Sequence, residues 1–276
     1  MEVLHKAIFA LISGFSEFFF IPVTAQQLLY RTLTGYDLSD SFLSLGVHLG
    51  CLGALLTNCH QRIKYLRAQK RLERPGKRRR GRQPDASSLI DIRILNTAVW
   101  PILLGLLLYQ KSRIWIDGAF RIALILIING VFLYLPRLLS SGNKVSHSFT
   151  KIDGLMMGIG GSLGVFPGLN RLGCMYSMAI CRGADRSYAF DLSILLSVPA
   201  IVGMLCIDIF SCTAALANIT GLQLLGSLIA FIASYVGACL SIVLARTTIS
   251  RTNTVGFAYY SWGFAIFLLL IYLFVS

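Results

Sequence analysis

The sequence predicts an all-α polytopic membrane protein folded as an inverted-topology repeat. Each half is one re-entrant helix-loop-helix plus three transmembrane helices. Three observations predict it. The composition is 55% hydrophobic and 13% charged, against about 25% charged residues in an ordinary soluble domain. Six apolar runs are long enough to cross a bilayer. Two more apolar runs are broken by Gly, Pro and charge, which lipid tolerates only where the backbone is buried in protein or lines a cavity.

The first broken run covers residues 7–29 and contains Ser13, Gly14, Ser16, Glu17, Pro22 and Thr24. It begins after Lys6 as a signal peptide would. No small-residue cleavage site follows and Glu17 interrupts it, so it reads as part of the mature protein. Apolar runs at 41–57, 94–109 and 119–139 complete a first half, 1–139. Within it, the stretch 61–93 holds Arg62, Lys64, Arg67, Lys70, Arg71, Arg74, Lys77, Arg78, Arg79, Arg80, Arg82 and Arg93 against Glu73, Asp85 and Asp91. Much of the net charge of +13 sits there. In a chain this apolar, the stretch reads as a cytoplasmic positive-inside loop touching anionic lipid headgroups, and no nucleic-acid partner is expected.

A linker at 137–151 leads to a second half, 150–276. It opens with a glycine-rich broken run at 152–181 that contains Pro167, Asn170 and Arg171. Apolar runs at 190–211, 222–245 and 254–274 follow. Three spans per half is an odd number, so the second half enters the membrane with the opposite orientation. Charge agrees. With 61–93 cytoplasmic, the linker, Arg182, Arg186, Arg246 and Arg251 fall on the same side, and the connection 212–221, free of Lys and Arg, falls outside. Both termini are then expected outside, with Lys111 and Arg113 as external exceptions. The two re-entrant tips approach from opposite faces and meet near the midplane, all within one integral membrane domain, 1–276.

The seven cysteines (51, 59, 174, 181, 206, 212, 239) form no C-x-x-C pair and lie mostly in apolar runs. They read as small buried hydrophobes. Cys59 and His60 are adjacent but lack the further ligands of a zinc site. Neither a disulfide framework nor a transition-metal centre is expected.

Arg171 is the only charged side chain between Gly154 and Cys181. A permanent charge at membrane depth is kept beside a water-filled cavity or an anionic partner. Pro167, Gly168 and Gly173 around it break helices and free backbone N–H groups to face an anion, most simply phosphate. Glu17 is the only acid in the first broken run. Two readings are open. Glu17 and Arg171 lock the halves together as a buried ion pair, or they share a polar pocket in which Arg171 clamps a phosphate and Glu17 serves as base or cation ligand. Thr24, Gln26, His48, Gly168, Asn170 and Gly173 are the candidate lining.

At these residues the chain resembles the bacterial undecaprenyl-diphosphate phosphatases, membrane enzymes associated with bacitracin resistance. Their first signature has the form E-G-x-T-E-F-L-P-x-S-S-T-G-H; here Gly14, Glu17, Phe18 and Thr24 match, with Ser16 in place of threonine. Their second has the form P-G-x-S-R-S-G-x-T; Pro167, Gly168, Arg171 and Gly173 match. The segments Val47-His48-Leu49-Gly50 and Ser193-Ile194-Leu195-Leu196-Ser197-Val198-Pro199 also follow the family pattern, so the resemblance covers nearly the whole chain.

The resemblance implies hydrolysis of undecaprenyl diphosphate to undecaprenyl phosphate and phosphate, which recycles the lipid carrier of envelope synthesis. It also implies a bacterial cell membrane, with Mg²⁺ or Ca²⁺ as the cation if one is used, and leaves a homodimer open. The departures fall where the chemistry belongs. The first glutamate of the pattern is Ser13, its serine pair is Pro22-Val23 and its histidine is Gln26. Asn170, Leu172 and Met175 stand where the second pattern has Ser, Ser and Thr. An amide hydrogen-bonds phosphate but is neither nucleophile nor general base. A homologue that binds or translocates polyprenyl phosphate without cutting it is therefore the competing expectation. A purely structural partner subunit is a third.

Overall fold

The computed structural model describes residues 2–36, 40–73, 85–109, 111–112, 118–139, 142–213, 221–251 and 254–275. Among them are ten α-helices and one 3₁₀ turn, and no β-strand. The first broken run divides into α1 (Glu2–Glu17) and α2 (Val23–Thr34). Spans α3 (Ser41–Glu73), α4 (Ala86–Leu106) and α5 (Ala119–Leu138) follow. The second broken run divides into α6 (Lys151–Leu163) and α7 (Arg171–Cys181). Spans α8 (Arg186–Thr213), α9 (Gly221–Arg251) and α10 (Val255–Val275) complete the chain. Six of these helices, α3, α4, α5, α8, α9 and α10, are long and apolar enough to cross a membrane.

One boundary differs from the sequence reading. The stretch 61–93 is not a loop throughout, because α3 continues to Glu73 and α4 already begins at Ala86. Residues 61–73 are mostly Arg, Lys, Gln, Leu and Ala, all strong helix formers, and Pro75 and Gly76 are the first breakers after the span. Asp85 caps α4 by accepting the Ser87 N–H at 3.3 Å. The basic residues 74–82 lie outside the described residues, as does Arg113. Asp91, grouped above with the loop acids, is fully buried. It accepts hydrogen bonds from Ser146 Oγ at 2.7 Å and Tyr188 OH at 2.8 Å, and it pairs with Arg62. It ties α3, α4, α8 and the inter-half linker together.

The spans sort their faces as membrane helices do. On α9, Leu228, Ile232, Val236 and Leu240 are exposed, whereas Ala230, Ser234, Ala238 and Ser241 are fully buried. Large apolar side chains thus face outward and small ones face protein, which lets backbones approach closely. One close backbone approach is between α1 and α9. A Cβ on Gly14 would lie 2.3 Å from the Ser234 carbonyl oxygen, so only glycine fits. A second contact of this kind joins α6 to α4, where Gly154 and Gly158 meet Ile94 and Ala98. Partners therefore cross over: the first element of each half packs on the fourth element of the other. Helices α3 and α8 pack on each other, as do α5 and α10.

Candidate functional site: a cavity between two broken helices

The site begins with two interruptions. After α1 ends at Glu17, Phe20 turns the chain at φ 56°. Few non-glycine residues adopt that conformation, and it holds here because the Phe20 ring is fully buried among Tyr176, Phe190 and Phe257. The family pattern has proline at this position, and proline cannot reach positive φ. The proline has moved to Pro22, which precedes α2 as its N-cap residue.

The second interruption runs from Gly164 to Asn170. Gly168 sits at φ 99°, a region closed to most side chains. Its N–H donates to Thr24 Oγ1 at 2.6 Å, which joins the two tips directly. Asn170 caps α7: Oδ1 accepts the Gly173 N–H at 2.6 Å and Nδ2 donates to the Ile21 carbonyl at 2.9 Å. Its own N–H donates to Asn129 Oδ1 at 2.8 Å, and Asn129 Nδ2 donates to Ser261 Oγ at 2.9 Å. A buried polar chain therefore runs from the α7 cap into α5 and α10, with its partners matched as low dielectric requires.

Arg171 occupies the first position of α7 and is 5% exposed. Its Nη2 pairs with Glu17 Oε1, and Nη1 lies 3.2 Å from the Met204 sulfur. Both charged residues line a cavity of about 220 Å³. In the same cavity, His48 Nδ1 lies 2.5 Å from Asp208 Oδ2, and Ser44 Oγ lies 3.2 Å from each Asp208 oxygen. Arg31, Asp40 and Gln27 also line the cavity. The Arg31 Nε is buried and has no hydrogen-bond partner among the described residues.

Of the candidates named from sequence, Glu17, Thr24, His48, Asn170 and Arg171 line this one cavity. Gly168 and Gly173 are not among the lining residues; they serve the tip contact and the α7 cap. Gln26 is absent from the lining as well. Its Nε2 donates to the Tyr260 hydroxyl, while its neighbour Gln27 faces the cavity and donates to Ser13 Oγ at 3.1 Å. Leu172 and Met175, at positions that are Ser and Thr in the family pattern, are buried in the apolar core. Arg31 and Asp208 went unnoticed in the sequence. Asp208 is a lone acid near the end of an apolar span, a signal of the same kind as Glu17 that could have found it.

The resemblance leaves a cation open, with Glu17 as its ligand if one is used. That carboxylate is engaged by Arg171, and among the described residues no group of three His, Cys, Asp or Glu stands close enough to hold a metal ion. The side chains do not fit a protein-built cation cage, so no step is routed through one.

Comparison with known proteins finds relatives over nearly the whole length of the chain. The chain is 26% identical over 263 residues to an undecaprenyl-diphosphatase of Carboxydothermus hydrogenoformans, covering 95% of this chain and 94% of that one. It is 29% identical over 280 residues to undecaprenyl-diphosphatase 3 of Bacillus cereus, covering 98% of each. It is 25% identical over 268 residues to an undecaprenyl-diphosphatase of Methanobrevibacter smithii, covering 95% of each. The model of the family described as bacitracin resistance protein BacA matches residues 6–267. With six apolar helices, two broken segments and that match, this multi-pass membrane protein belongs to the bacitracin resistance protein BacA family.

Proposed function

We propose that the chain is a polyprenyl-diphosphate phosphatase. It releases the terminal phosphate of undecaprenyl diphosphate and leaves undecaprenyl phosphate for reuse as a carrier in cell-envelope synthesis. The observation that carries this reading is the Glu17–Arg171 pair set in the wall of a polar cavity between two broken helices. A pair with only a locking role gains nothing from a cavity, since burying charge costs several kcal/mol that good pairing only roughly offsets. A cavity lets a phosphate with more than one negative charge compete with Glu17 for the guanidinium, through the bidentate geometry Arg favours. Arg31, with its Nε unmatched, supplies a second cation for the neighbouring phosphate of a diphosphate. Thr24 holds the tip, and Asn170 sets the direction of α7 and with it the position of Arg171.

The exchange of helix partners between the halves supports an inverted repeat with its cavity near the membrane midplane. Charge bias supports an orientation with the basic segment 61–93 cytoplasmic and both termini outside, and family membership supports a bacterial cell membrane. The test is phosphate release by purified protein in detergent, given undecaprenyl diphosphate with and without Mg²⁺ or Ca²⁺. Release above a protein-free control supports the phosphatase. Labelled undecaprenyl phosphate that binds while release stays at background supports a binding or carrier protein instead.

A further inference from the structure

We propose that His48, held by Asp208, is the general base of this site and takes over the role left open by Gln26. The proposal rests on the phosphatase reading above. Of the four histidines in the chain, His48 alone is among the described residues lining the cavity. His5 is occupied elsewhere, 2.8 Å from the Tyr30 hydroxyl and stacked on Tyr36. Gln26 is turned away toward Tyr260 and, being an amide, could not accept a proton.

The arrangement of His48 is that of an oriented base. An ionised carboxylate can only accept, so the contact with Asp208 Oδ2 places the ring proton on Nδ1 and leaves the Nε2 lone pair for a proton from substrate or water. Asp208 is 6% exposed and is itself steadied by the Ser44 hydroxyl, so the orienting group is fixed. A buried carboxylate behind a histidine stabilises the imidazolium once it forms. Other charged groups face the same cavity: Glu17 from α1, Arg31 from α2, Asp40 beside α3 and Arg171 from α7. Among the described residues lining the cavity, His48 is the imidazole that a carboxylate orients, which makes the dyad its proton acceptor.

The step balances without further reagents. Water gives a proton to His48 Nε2 as its oxygen bonds to the terminal phosphorus. The bridging P–O bond breaks, its electron pair stays on the polyprenyl phosphate, and the imidazolium returns its proton to solvent or to the departing phosphate. His48 is thus a catalytic residue and Asp208 a positioning residue.

The experiment compares wild type, His48→Gln, Asp208→Asn and Arg171→Ala in detergent, reading kcat and KM for phosphate release across pH, with size-exclusion profiles to confirm folding. His48→Gln is expected to lower kcat by about 10²–10⁴-fold while KM stays within about threefold, and to abolish the acid-side fall of the rate. Asp208→Asn is expected to lower kcat by about tenfold or more and to move that acid-side fall, with KM little changed. Should His48→Gln misfold, His48→Ala with added imidazole replaces it, and the expected result is partial recovery of the rate. Wild-type activity that Arg171→Ala destroys but His48→Gln leaves within threefold overturns the dyad and spares the phosphatase. No wild-type release overturns both.

Discussion

Thr24 Oγ1 accepts the Gly168 N–H at 2.6 Å, which joins residues 144 positions apart and stitches the two broken segments tip to tip. Three residues beyond Gly168, Arg171 reaches back to Glu17. The cavity wall therefore depends on a contact that contains no charge. Thr24→Val keeps the side-chain shape and removes the acceptor, leaving a backbone N–H unmatched at a cost of about 1–3 kcal/mol. The expected outcome is a lower unfolding temperature in detergent together with lost activity. Thr24→Ser retains the hydroxyl and should recover most of both.

Arg31 has a buried Nε without a partner beside the cavity. That Nε makes no hydrogen bond among the described residues, so Arg31→Ala should leave the fold largely intact. The expected effect is on binding: a rise in KM of about tenfold or more, matching about 1.4 kcal/mol or more of lost interaction, with kcat falling less. Steady-state kinetics on a diphosphate substrate check it. An unchanged KM would remove Arg31 from the headgroup site.

Gly14 packs against the Ser234 backbone where α1 meets α9. Gly14→Val must push α1 off α9, because a Cβ there would sit 2.3 Å from a carbonyl oxygen. Overpacking of this kind typically costs about 1–3 kcal/mol or more. The measurable outcome is a reduced yield of monodisperse protein and a lower unfolding temperature.

Asp85 makes a pH test outside the membrane. Hydrogen bonds from the Ser87 and Ser88 side chains hold its carboxyl at about 2, below its ordinary 3.8. A lowered value means the charged cap is fully present above pH 3.8 and is lost as the pH falls toward 2. Hydrogen exchange at Ser87 and Leu89 should therefore accelerate across that window in wild type. In Asp85→Ala it should be fast throughout.

The sequence made the membrane architecture legible because hydropathy, helix breakers and charge bias each act over whole segments. Glu17 and Arg171 stood out because isolated charges in apolar runs are costly. Exact boundaries were harder: the basic stretch gives no breaker until Pro75, so helix α3 runs well past the apolar part of its span. The choice between Gln26 and Gln27 turned on helical phase, since adjacent residues on α2 face different neighbours and only Gln27 reaches the cavity. Asp208 was invisible as a partner of His48 because 160 residues separate them and no local pattern links α3 to α8.

The central claim is that the Glu17–Arg171 pair opens to take the terminal phosphate of a lipid diphosphate. The most direct test is the rate of phosphate release from undecaprenyl diphosphate by Arg171→Ala and Glu17→Gln beside wild type, all confirmed monodisperse. The account predicts clear release by wild type, a loss of about 10²-fold or more in Arg171→Ala, equivalent to about 2.7 kcal/mol or more of transition-state stabilisation, and a lowered KM in Glu17→Gln, where the guanidinium has no competing carboxylate. A well-folded Arg171→Ala that releases phosphate at the wild-type rate would contradict it, and would leave the pair as a lock between two halves.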